Sequence, residues 1–546
     1  MPIVRKAAIY LILFSGLLLL GNCSPGSDGP ASDVAACGEI SGEPVDISGI
    51  VSYEDKEYDK NGFTGRSDYF KAVRFAKIQV VDSTDDAVLA EGVTGSTGDY
   101  SMQFTPKCAS VYVKVIASTD MAGEPEVEVR KTKSGDLHFF RGSDIDLGGY
   151  STLEYDISVL SDMSNVDEPV LSDNSTAGAF NILDMMTIGG EFTGTFSGEV
   201  PPLLNAYWEK EEQTPGGTSY YCTGLDTLSC PRGEGIYVLG GGGDTDEYDD
   251  DVLLHEYGHF AAAKKSRDDS PGGPHALTDN DLDLRLAWSE GWGDFFPAAV
   301  KVWLNENNPE YLSLSQSLDL SMYVDTSTSV FWFDIAAPSS AMVSSANEVA
   351  VANVLWKTMN GFENGTRHVW DVFSDYIPDV TTPVNLEAFW DGWLFLKTPT
   401  AGGRALLDAY FLDREINYFK DNFEPDSEIA GAGSHLINGS EDHTFYRDDL
   451  AANDIDYISF DVTAGQDYTV QTYNLTNGAD TYIRVLESDG SLIVLNDDSG
   501  EPGQLKSKAS FTSPISGTLY VEVSTSPNKS DASGNYGSYS ISVTAP

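Results

Sequence analysis

Apolar and polar residues alternate in short runs over residues 40–160, and again from about residue 434 to residue 546, with a different rhythm between. In the first stretch, Ala76-Lys77-Ile78-Gln79-Val80-Val81 and Val111-Tyr112-Val113-Lys114-Val115 put every second side chain on one face, and Thr-Gly and Gly-Asp turns separate such runs. A period of two bounded by turn residues predicts half-buried strands of a β-sandwich. The last stretch alternates more cleanly, through Asp456 to Val462, Gln466 to Thr472, Ala479 to Val485, Gly517 to Val523 and Gly537 to Val543. In the middle, apolar residues take helical spacing, as in Val349 to Met359 and Leu386 to Leu396. The pattern predicts a multidomain chain: an N-terminal β-sandwich over 40–165, an α+β domain over 166–425 and a C-terminal β-sandwich over 434–546.

One helix of the middle region carries chemistry. Val252-Leu253-Leu254 precedes His255-Glu256-Tyr257-Gly258-His259, and Phe260 to Ala263 follows it. Asp249, Asp250 and Asp251 stand where a helix N-terminus favours negative charge, and Lys264 and Lys265 where its C-terminus favours positive charge. Residues i and i+4 share a helix face, so His255 and His259 can bind one Zn²⁺, with Glu256 against a metal-bound water. Random order would give H-E-x-x-H in about one such chain in 150, so an ordinary buried helix is the disfavoured reading.

A catalytic zinc takes three protein ligands and one open position. A third histidine at the metzincin spacing would fall at Lys265, with the required glycine at Ala262, which excludes that subtype. The stretch Trp288-Ser289-Glu290-Gly291-Trp292-Gly293-Asp294-Phe295-Phe296 offers Glu290, with Asp294 four residues later on the same helical face. Together H-E-Y-G-H and S-E-G-W-G-D-F-F resemble the gluzincin metallopeptidases of the thermolysin and fungalysin type, the fungalysin wording being closer. The resemblance implies a zincin-type domain. It also implies that His255, His259 and Glu290 are zinc ligands, Glu256 is the general base and Asp294 is the carboxylate that orients a ligand histidine. Asn205-Ala206-Tyr207-Trp208 resembles the strand that pairs with substrate backbone in these enzymes, which makes Asn205 and Ala206 candidate substrate-binding residues, although an ordinary core strand has the same look. Gly235 to Leu239 resembles its neighbour.

The chain departs from the family in two places. Relatives carry a histidine, which stabilises the tetrahedral oxyanion, before a later helix; Ser344-Ser345-Ala346-Asn347-Glu348-Val349 has none. His368 and Tyr323 are weighed as substitutes, and His275 reads as a loop histidine near the cleft. Pro297 falls inside the helix expected to carry Glu290, where it removes one hydrogen bond and favours a bend after Asp294, with Gly293 relieving the clash.

The N-terminus reads as an export signal over residues 1–22, with Arg5 and Lys6 before the fourteen uncharged residues Ala7 to Leu20. Leu20-Gly21-Asn22-Cys23 resembles a bacterial lipobox with Cys23 lipidated, and residues 23–39 form a tether, so the expected membrane contact is that lipid anchor alone. Four other cysteines fit an oxidising compartment. The expected pairs are Cys37 with Cys108 and Cys222 with Cys230, one of three possible pairings. A net charge of −53, from 85 acidic and 32 basic residues, argues against nucleic-acid binding. The densest acidic run, Asp244-Thr245-Asp246-Glu247-Tyr248-Asp249-Asp250-Asp251, is a candidate Ca²⁺ site.

The turn at Gly98-Asp99-Tyr100 resembles carboxypeptidase regulatory-like modules, and residues 40–165 read equally as an inhibitory pro-region. The last 105 residues or so resemble the bacterial pre-peptidase C-terminal domain. The expected function is an exported zinc metalloendopeptidase acting on protein or peptide substrates; oligomeric state is not legible. The alternative is a non-catalytic surface lipoprotein built around a retired peptidase core. A zinc aminopeptidase is a third reading, but the chain lacks the G-x-M-E-N signature.

Overall fold

A computed structural model describes residues 42–546 apart from 67, 162–175, 242–244, 313–318, 327–329, 381–382, 417, 419–420, 446–453, 477–478, 501–504 and 528–536. The expected signal peptide, Cys23, Cys37 and Asp244 lie outside the described residues.

The N-terminal strands include β1 (Val45–Glu54), β2 (Ala76–Asp82), β3 (Val88–Val93), β4 (Asp99–Phe104), β5 (Ser110–Thr119) and β6 (Val127–Arg130). The alternation is visible in burial: β4 runs exposed, buried, exposed, buried along its length. β1 centres a five-stranded sheet with β4, Phe70–Ala72, Thr152–Glu154 and Ile157–Val159. The other strands continue past the expected boundary. After helix α1 (Thr176–Ser197) come β7 (Leu204–Tyr207), β8 (Tyr220–Cys222) and β9 (Gly235–Tyr237). These join the N-terminal strands in one nine-stranded sheet of order β8-β9-β7-β6-β5-β2-β3, with two short strands added on β5.

Residues 40–165 are therefore an N-terminal β region but not a self-contained sandwich, which corrects the expectation. β6 pairs in parallel with β7, Leu204 opposite Val127 and Tyr207 opposite Arg130. One apolar cluster runs from Val45 and Ile78 through Phe180 and Leu253 to Trp393. Buried ion pairs cross the same junction: Arg74 Nη2 lies 2.7 Å from Asp184 Oδ1 on α1, and Lys71 Nζ lies 2.8 Å from Asp55 Oδ2 and 3.5 Å from Asp250 Oδ2.

The helices follow as α2 (Asp250–Lys265), α3 (Leu284–Asn307), α4 (Glu348–Gly361) and α5 (Leu386–Lys397), with the hairpin β10 (Met322–Asp325) and β11 (Phe331–Asp334) between α3 and α4. Asn347 and Asn385 cap α4 and α5, their side chains accepting from Ala350 N and Ala388 N. α3 continues through Pro297 without a break. No helix among the described residues is long and apolar enough to cross a membrane.

The C-terminal unit has its own core, built around Phe460, Val470, Ile483, Val521 and Ile541. One sheet holds β13 (Asp456–Val462), β15 (Thr481–Leu486), β16 (Leu492–Asn496), β18 (Gly517–Thr525) and the short Gly433–Ser434. The other holds β12 (Glu441–Phe445), β14 (Asp467–Thr476), β17 (Lys508–Thr512) and β19 (Gly537–Thr544). The unit starts slightly upstream of residue 434, because Gly433 pairs with Ile458 and Tyr457 N donates to Asp426 O.

Candidate metal centre

α2 is held at its N-terminus by the acidic run. Asp249 Oδ2 accepts from Thr326 N and Oγ1, both at 2.8 Å. Asp250 accepts from Asn181 Nδ2 and faces Lys71. Asp251 accepts from Lys301 Nζ at 2.7 Å and Val324 N at 3.1 Å. These three carboxylates point to different partners instead of converging. Buried carboxylates are stable only when paired in this way.

One turn further, three ligand atoms converge. His255 Nε2 and His259 Nε2 are 3.1 Å apart, and Glu290 Oε2 of α3 lies 3.3 Å from the first and 3.5 Å from the second. Four ligands at about 2.0–2.1 Å from a tetrahedral Zn²⁺ stand about 3.3–3.4 Å from one another. The three side chains fit that ion without rearrangement. Each imidazole is gripped from behind. His255 Nδ1 lies 3.2 Å from Asp294 Oδ1. His259 Nδ1 lies 3.4 Å from Ser289 Oγ, which donates to Asp268 Oδ2 at 2.8 Å and so accepts from the ring. With both Nδ1 atoms facing these groups, both Nε2 atoms turn toward Glu290.

Gly293 makes this closeness possible: a Cβ there would stand 2.7 Å from Nε2 and Cε1 of His255. Its role is to admit the imidazole, more than to relieve Pro297. Gly291 does the same between α3 and α4, where a Cβ would meet the Val351 side chain at 2.6 Å. Burial opposes charge on Glu290, yet His259 and then His255 hold its carboxyl well below the usual range. Burial likewise opposes charge on His255, and Asp294 and Glu290 outweigh it, raising the imidazole well above its ordinary value.

Glu256 is buried on the same helix, and its Oε2 accepts from Tyr221 N at 2.7 Å. Tyr221 belongs to β8, the last strand of the nine-stranded sheet. The strand expected to pair with substrate is a different one. Asn205 and Ala206 lie on β7, which is paired on both sides by β6 and β9. Asn205 Oδ1 accepts from Arg130 Nε, and Ala206 is fully buried. With both edges used, β7 cannot pair with a peptide; among the described residues the terminal strand beside Glu256 is β8.

Other side chains also meet here. Glu348, first in α4, has a buried Oε2 with no hydrogen-bond donor, and burial, with Asp294 and Glu290 nearby, pushes its carboxyl up to about 9. His275 brings Nε2 to 3.7 Å from both Glu290 Oε2 and Glu348 Oε2. Tyr323 stacks on Phe333 and makes a T-shaped contact with His255. His368 packs against Trp393, among side chains that do not include the three ligands. Ser289 stood in the quoted motif; Tyr221 had no local signal.

Cys222 and Cys230 form a disulfide that ties the loop after β8. Cys108 is disulfide-bonded, and Cys37, its expected partner, lies outside the described residues. Two other groups of ligand-type side chains belong to the C-terminal unit: Asp421, His443 and Asp456, and Glu424, Asp454 and Asp456.

Residues 454–525 match the family model of the bacterial pre-peptidase C-terminal domain. Among solved structures, the chain is similar to the pre-peptidase C-terminal domain of collagenase from Bacillus anthracis, at 14% identity over 22% of this chain and 99% of that one, with a TM-score of 0.17. It is also similar to PliG, a periplasmic inhibitor of g-type lysozyme from Aeromonas hydrophila, at 17% identity over 21% and 96%, TM-score 0.16. A third is CorA, a surface-associated copper-binding protein of Methylomicrobium album BG8, at 12% identity over 21% and 98%, TM-score 0.17. No curated protein matches the chain. The C-terminal unit thus contains a pre-peptidase C-terminal domain.

Proposed function

We propose that this protein is an exported zinc metalloendopeptidase of gluzincin type. The observation that carries the reading is the mutual spacing of His255 Nε2, His259 Nε2 and Glu290 Oε2 at 3.1–3.5 Å, with Glu256 on the same helix. Zn²⁺ bound there would lower the pKa of a coordinated water and polarise a carbonyl. Asp294 and Ser289 keep both histidines in the ligating tautomer. Tyr221 N–H orients Glu256, which takes the water's proton and passes it to the leaving amine. An extended peptide would bind alongside β8, the terminal strand of the sheet among the described residues. A pre-peptidase C-terminal domain is typical of secreted bacterial proteases and supports the same reading, and the N-terminal signal ending in Cys23 supports a lipoprotein of the cell envelope.

The test is casein degradation by the purified chain beside Glu256→Gln, with zinc measured on both. We expect equal zinc and a loss of about 10²–10⁴-fold in rate, the range for removing a general base. Zinc in both with cleavage by neither returns the retired-peptidase reading. No zinc in either overturns the site.

A further inference from the structure

The oxyanion formed when water adds to a peptide carbonyl needs a hydrogen-bond donor, and residues 344–349 contain no histidine to supply it. The fold brings one from another loop. His275 follows Pro271-Gly272-Gly273-Pro274 in the loop between α2 and α3. Its Nδ1 lies 3.2 Å from Gly273 O, and its Nε2 faces the cleft. Nε2 stands 3.7 Å from Glu290 Oε2, beside the ligand triangle. The ring is 33% exposed, against 12%, 13% and 16% for His255, His259 and Glu290, so it lies toward the open side where substrate must enter.

Glu348 is the second observation. Its side chain is 3% exposed, and Oε2 has no hydrogen-bond donor yet lies 3.7 Å from His275 Nε2. A buried polar oxygen without a partner is costly, and a hydrogen bond from the His275 ring would offset that cost. The same carboxyl group keeps the ring turned to the cleft. We infer that His275 donates its Nε2–H to the oxyanion of the tetrahedral intermediate, positioned by Glu348, in place of the histidine missing from residues 344–349. The inference rests on the peptidase reading. The proton stays on His275; the bond formed is water oxygen to carbonyl carbon, the carbonyl π pair moves onto oxygen, and Glu256 takes the water's proton.

The test uses the full chain with zinc content checked, comparing wild type, His275→Ala, His275→Gln and Glu348→Gln. For His275→Ala we expect kcat to fall about 10²–10³-fold with KM and zinc nearly unchanged, as for removal of an oxyanion donor. Affinity for a phosphonamidate peptide, a tetrahedral mimic, should weaken by a similar factor in calorimetry. His275→Gln keeps a donor and should recover part of both, and Glu348→Gln should lose less than His275→Ala. A wild type that cleaves casein beside a His275→Ala variant with unchanged kcat and phosphonamidate affinity overturns the inference and leaves the peptidase standing. Loss of zinc, or a gain of activity, in His275→Ala would make the ring a fourth ligand and also overturns it. A wild type without zinc or cleavage ends both.

Discussion

The N-terminal β region and the C-terminal sandwich alternate in the same way along the chain, yet they enter the molecule differently. The C-terminal strands close on each other around a core of their own. The N-terminal strands share a nine-stranded sheet and one apolar cluster with the helices that carry the candidate site. Tyr58 OH accepts from Asp251 N, and Lys71 faces Asp250, so this region also holds the first turn of α2. Alternation reports which face of a strand is buried; it does not report what buries it.

Truncation should break the symmetry most. Removing residues 1–165 strips β6 from β7 and opens the shared core, so the remainder should lose its cooperative melt and its zinc together. Cutting after residue 433 should leave both, and leave cleavage of a short peptide unchanged. Circular dichroism melts and metal analysis read the two outcomes, and an active fragment starting at 166 would restore the pro-region interpretation. A smaller effect is expected of Lys71→Ala, which leaves Asp55 and Asp250 buried without their cation. Breaking such a buried pair costs about 3–5 kcal/mol, visible in urea unfolding.

Asp294→Ala should leave the fold intact while His255 loses its orienting carboxylate. Zinc affinity should fall about 10–100-fold in a chelator competition. The smallest effect is expected of Arg484→Ala on the C-terminal sheet. Its partner Glu522 is 2.8 Å away, but Arg484 is 36% exposed, so the change should be below about 1 kcal/mol and invisible to peptidase activity.

What could be read in advance follows the range of the interactions. The C-terminal strands and the facing of His255, His259, Glu290 and Asp294 depend on spacings of two and four residues. Whether β7 was an edge or an interior strand depended on Val127 opposite Leu204, and no local pattern encodes that partner. The partners of the acidic run, Lys71, Lys301 and Thr326, are all distant in sequence, and no local pattern encodes them. Glu348 and His275 were visible as residues, but only the return of α4 against α3 makes them neighbours.

The central claim is that two imidazoles and one carboxylate hold a zinc ion. X-ray absorption on the zinc-loaded full-length chain tests it directly. The account predicts a first shell of nitrogen and oxygen at about 2.0–2.1 Å with two imidazoles and no sulfur, losing one imidazole in His259→Ala. A sulfur shell, or a spectrum unchanged in that variant, would contradict it.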